Sequence, residues 1–113
     1  MGVLESIGRR VIAGATITFR PTGSSMVPII RSRQAVTVAP VDPAKLEIGD
    51  IVLARVSGNV YLHWVSAIDK NRLRVQISNN HGLVNGWTSC AKIFGICTTV
   101  DGVERPNIAG KVK

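Results

Sequence analysis

Aromatic side chains are scarce in this chain, which has two Trp, two Phe and one Tyr in 113 residues. No aromatic stripe runs between its cations, so the stacking platform that reads single-stranded nucleic acid is missing. Cysteine and histidine occur only twice each. There is no CxxC pair, and neither a metal site nor a cofactor is expected. Cys90 and Cys97 share one strand-like segment with no turn between them to bring the thiols together, which argues against a local disulfide. Long apolar runs are missing too. VIAGATITF at 11–19 follows Arg9 and Arg10, is interrupted by Gly14, and falls far short of the roughly 20 residues a membrane-spanning helix needs. No small-x-small cleavage site follows it. The protein is therefore expected to be soluble and cytoplasmic, with no membrane span.

Acidic residues are half as many as basic ones, 7 against 14, giving a net charge of +7. Such an excess suits a polyanionic partner. Yet Arg9, Arg10, Arg20, Arg31, Arg33, Arg55, Arg72, Arg74 and the tail lysines are spread along the chain, so nucleic-acid binding is disfavoured. What the chain does contain is 45% hydrophobic residues and a mean hydropathy of +0.22. That supports one domain over residues 1–113, with no room for a second.

The hydrophobic pattern is mostly β. Leu4, Ile7 and Val11 recur at helical spacing, with Glu5 early and Arg9 and Arg10 late, which fits a short helix within 1–14 that Gly14 ends. Strand-like runs follow at 15–19, 35–39, 50–56, 59–68 and 72–77, with a last pair within 90–100, and turn formers separate nearly all of them. Ser57-Gly58-Asn59 and Asp69-Lys70-Asn71 read as hairpin connections, making 50–77 a three-stranded antiparallel meander. RLRVQI alternates, with Leu73, Val75 and Ile77 on one face. NVYLHWVSAI is apolar on both faces and belongs in the middle of the sheet. The β core is placed at 15–100, and the patternless 101–113 is expected to be a loosely ordered tail.

Serine catalysis needs a hydroxyl held in an exposed turn, a base, and backbone N–H donors for the oxyanion. TGSSMVP at 22–28 offers the turn and the donors, although Gly-Ser-Ser is also an ordinary turn sequence. The candidate bases are His63, His81 and scattered lysines. His63, between Leu62 and Trp64 in the two-faced strand, would be partly desolvated and neutral at pH 7. The same position also suits a core histidine bonded to a backbone carbonyl. His81, Asn79 and Asn80 fall among loop formers and read as turn residues.

In order along the chain, GSSMVP at 23–28, LEIGDIVLARV at 46–56, YLHWVSAI at 61–68, ISNNHG at 77–82 and KIFGICTTV at 92–100 resemble the motif series of the signal peptidase I and LexA-type serine peptidase superfamily. The resemblance implies that superfamily's fold, a coiled, partly barrel-like antiparallel sheet with the nucleophile at the edge of a groove. It implies Ser25, just before the methionine, as nucleophile. It implies His63, in the box where histidine-type members carry their base, as general base, and Gly49 to Val52 as a structural turn into a strand. Where those members have an aspartate after the base, this chain has Asn79, so Asn79 or His81 becomes the implied orienting residue. Trp64 stands in place of an arginine. The oxyanion would be held by the Ser25 N–H, with Ser24 assisting, because Gly23 occupies the place where some relatives carry a serine.

A peptide or protein substrate would add as a strand along 15–21. It would meet Thr18, Arg20, Thr22, Gly23, Met26 and Pro28. With neither a membrane anchor nor a DNA-binding domain ahead of the serine box, the resemblance implies a free-standing serine endopeptidase, such as a maturation protease or a phage or mobile-element protein. The alternative is a domain of the same fold that binds peptides without cutting them.

Overall fold

The computed structural model describes residues 2–113. The chain runs α1 (Val3–Ile12), β1 (Ile17–Phe19), β2 (Val36–Ala39), β3 (Ile51–Val56), β4 (Asn59–Asp69), β5 (Arg74–Ser78), β6 (Val84–Ser89), β7 (Ile93–Val100) and β8 (Val103–Glu104), with single 3-10 turns at Pro43–Lys45 and Cys90–Lys92. The fold is mostly β, as the sequence indicates. One antiparallel sheet holds the strands in the order β1-β2-β7-β3-β4-β5-β6, and β8 pairs with β7.

The expected meander is present. Ser57 and Gly58 close the β3–β4 hairpin with φ of 49° and 86°, the doubly left-handed geometry of a type I′ turn. At the β4–β5 turn, the Asp69 carboxylate accepts from the backbone N–H groups of Asn71 and Arg72. Leu73 departs from the expectation. It falls in this turn with φ of 53° and is 65% exposed, so only Val75 and Ile77 of its alternating set face the core. The expected strand pair within 90–100 is instead a 3-10 turn followed by the single strand β7.

Register irregularities in β4–β5 and β5–β6 bend the meander. The bend carries β6 back toward β3, where the Thr88 hydroxyl donates to the Arg55 carbonyl at 2.7 Å. The sheet is thus coiled and partly barrel-like without closing. Val52, Ala54 and Val56 of β3 point into the coil with Val65, Val75 and Ile77, while Ile51 and Leu53 point the other way with Leu62, Val36, Val38 and the α1 residues Ile7 and Val11. Burial on both faces explains the nearly unbroken apolar run of β3. The helix reaches its face of the sheet because Gly95 leaves room. A Cβ there would lie 2.6 Å from both the Ala39 carbonyl oxygen and Val11 Cγ1.

The expected loosely ordered tail is corrected. Ile108 and Lys111 are buried, and Val112 bridges Val41. Lys111 Nζ lies 2.9 Å from both oxygens of buried Asp50 and 2.9 Å from Glu47 Oε1. The tail shows no periodicity because it docks through isolated side chains rather than through a regular element. No helix among the described residues is long and apolar enough to cross a membrane.

Candidate active site

Ser25 sits in the β1–β2 connection. Gly23, with φ of 110°, turns the chain into this loop. Met26 and Ile30 anchor it in the apolar cluster beneath, while Ser25 stays exposed. The β5–β6 turn grips the loop from the side. The Asn80 N–H donates to the Ser25 carbonyl (2.8 Å), Asn80 Nδ2 donates to the Val27 carbonyl (2.9 Å), and His81 Nε2 donates to the Ser24 carbonyl (2.6 Å). Among the described residues the Ser25 backbone N–H has no hydrogen-bond partner.

His63 lies on β4 opposite Val52 of β3 and is only 7% exposed. It is not a core histidine bonded to a backbone carbonyl, because both ring nitrogens meet side chains. Nε2 is 3.1 Å from Ser25 Oγ, and Nδ1 is 2.6 Å from Asn85 Oδ1. An amide oxygen can only accept, so Nδ1 carries the proton and donates to Asn85. The Nε2 lone pair then faces the Ser25 hydroxyl, which donates to it. Burial holds the imidazole pKa below its ordinary value of 6.5, against the opposing hydrogen bond to Asn85, so the ring is neutral at pH 7. The Tyr61 ring stacks on it.

Asn79 is not the orienting residue. Its Oδ1 accepts from the N–H groups of His81 (2.9 Å) and Leu83 (3.0 Å), so it shapes the turn. Trp64 supports the same turn by donating Nε1–H to the Asn79 carbonyl at 2.8 Å. His81 likewise touches the serine loop and not His63. The side chain that meets His63 Nδ1 is Asn85 on β6, which the sequence reading missed. Asn85-Gly86 is a strong turn signal, and here it lies inside a strand at a register irregularity. Reading VNGWTS as a strand would have been the signal to find it.

Beside the dyad lies a pocket of ≈ 200 Å3, walled by Leu4 of α1 together with Met26, Ile30, Tyr61 and Leu62, with Thr22, Gly23 and Arg31 toward its rim. Of the expected substrate-binding residues, Thr22, Gly23 and Met26 line it. Thr18, Arg20 and Pro28 do not. Thr18 Oγ1 pairs with Thr37 Oγ1 at 2.8 Å, and Arg20 Nη1 donates to the Arg33 carbonyl at 2.8 Å. Strand β1 ends the sheet, so one of its edges is unpaired. No cluster of three or more His, Cys, Asp or Glu side chains suited to a metal ion occurs among the described residues. Cys90 and Cys97 are free thiols, and burial pushes Cys97 up to about 11. Comparison with protein-family models, curated proteins and solved structures returned no match.

Proposed function

We propose that the chain is a serine endopeptidase that cuts extended peptides with Ser25 as nucleophile, His63 as general base and Asn85 as the residue that orients the base. The observation that carries this reading is the unbroken relay from Ser25 Oγ through both nitrogens of His63 to Asn85 Oδ1, with the imidazole neutral and in the tautomer a base requires.

In the reaction so read, His63 Nε2 takes the hydroxyl proton as Ser25 Oγ attacks the peptide carbonyl. The carbonyl oxygen becomes an oxyanion held by the unengaged Ser25 N–H. His63 then passes its proton to the leaving amine, and water releases the acyl group by the same steps in reverse roles. The apolar pocket would take a substrate side chain, and the unpaired edge of β1 would take its backbone. The resemblance to the signal peptidase I and LexA-type peptidases supports the same assignment of Ser25 and His63. Two free thiols fit a reducing, cytoplasmic setting.

One observation favours a second reading, a peptide-binding module with little turnover. The orienting group is a neutral amide, which stabilises an imidazolium less than a carboxylate does. Incubation with a diverse peptide library from about pH 6 to 9, read by mass spectrometry, separates the two. Cuts that disappear in both Ser25→Ala and His63→Ala support the peptidase. Peptide retention without cuts, equal in wild type and Ser25→Ala, supports the binding module.

A further inference from the structure

Tyr61 and His63 stand two residues apart on β4 and so project from the same face of the strand. Their rings stack, with centroids 5.0 Å apart and planes 21° from parallel. The Tyr61 hydroxyl has no hydrogen-bond partner among the described residues, so the ring is the part of this side chain in play.

His63 becomes a cation when it takes the Ser25 proton. In a Ser-His-Asp triad a buried carboxylate stabilises that cation. Here the group on Nδ1 is the Asn85 amide, a dipole without charge. The pocket lining contains no carboxylate among the described residues, and its one arginine, Arg31, is itself a cation. Glu5, in the adjoining cleft, is engaged by Arg55. His81 is held on the Ser24 carbonyl. The electron-rich face nearest the imidazole is the Tyr61 ring, within the roughly 6 Å at which a ring face attracts a cation.

We propose that Tyr61 is a positioning residue for the reaction. Its ring face fixes the plane of His63 and stabilises the imidazolium formed when Ser25 gives up its proton, supplying part of what a carboxylate supplies in a Ser-His-Asp triad. This inference rests on the peptidase reading, but its test does not depend on any peptide being cut.

The test is an NMR titration of the His63 ring in wild type, Tyr61→Phe, Tyr61→Leu and Tyr61→Met, with His81→Gln to assign the two histidines, together with pH–rate profiles on any peptide the wild type cuts. Phe keeps the aromatic face and should titrate with wild type. Leu and Met fill the space without a π face. Each should lower the His63 pKa by about half a unit and kcat by about three- to tenfold. His63 titrating in Tyr61→Leu or Tyr61→Met at or above its wild-type value would overturn the proposal, because Tyr61 would then act only as an apolar shield. Absence of cutting with the expected titration shifts would count against the peptidase reading and leave the stack established.

Discussion

The Asn85 amide oxygen lies 2.6 Å from His63 Nδ1, closer than His63 Nε2 lies to Ser25 Oγ, at 3.1 Å. The short contact fixes the ring and its tautomer. What it lacks is charge.

Asn85→Asp should therefore strengthen the base. A carboxylate at that distance favours the imidazolium and raises the His63 pKa by about 1–3 units, with kcat rising about tenfold or more at pH above the new value. Asn85→Leu removes the acceptor and should lower kcat by about 10²- to 10⁴-fold. Both are read from pH–rate profiles, and an unchanged profile in Asn85→Asp would refute the orienting role.

In the wild type, the acid limb of kcat/KM should lie below 6.5, the ordinary imidazole value, because burial disfavours the charged ring. Activity should be complete at pH 7 and fall only as pH drops through the lowered pKa. A limb above 6.5 would mean that a different group is titrating.

Leu4→Ala should change selectivity more than rate. Leu4 and Tyr61 both border a second cleft of ≈ 540 Å3 beside the pocket, so trimming Leu4 joins the two spaces. The ratio of kcat/KM for large over small apolar side chains should rise about tenfold in competitive digests of matched peptides.

The Ser25–His63 pairing was legible in the sequence because its two parts sit in strongly patterned surroundings. Ser25 lies between a glycine turn and buried Met26, and His63 lies in a strand apolar on both faces. The partner of His63 Nδ1 was not legible, because asparagine is ambiguous by chemistry. Asn79 bonds its own neighbours and builds a turn, while Asn85, followed by glycine, looks like a turn but lies in β6. The tail was missed for a related reason. Buried Lys111 makes sense only once Asp50, 61 residues away in sequence, is seen beside it.

That pairing predicts a stability effect. Lys111→Ala strands the buried Asp50 carboxylate and should cost about 3–5 kcal/mol in urea unfolding, while Lys111→Met combined with Asp50→Leu should recover most of it. Burial acts to lower the Lys111 pKa, but its hydrogen bonds to Asp50 and Glu47 outweigh burial and raise it above 10.5. Its contribution should be intact below pH 10.5 and disappear only as pH climbs through the higher native value.

Gly95→Ala tests the seat of the helix. The new methyl would press on the Ala39 backbone carbonyl, which cannot swing aside, and on Val11. We expect a loss of about 1–3 kcal/mol by denaturant melt.

Ser25 and His63 are 38 positions apart, and His63 and Asn85 are 22 apart, on a loop and two strands that meet only through the coiled sheet. Bringing such distant positions together requires the non-local pairings of the sheet. Without those pairings the chain holds a serine and a histidine but not the hydrogen-bonded pair. On the peptidase reading proposed above, finishing the fold is what would arm the molecule, and unfinished copies would be spared its action.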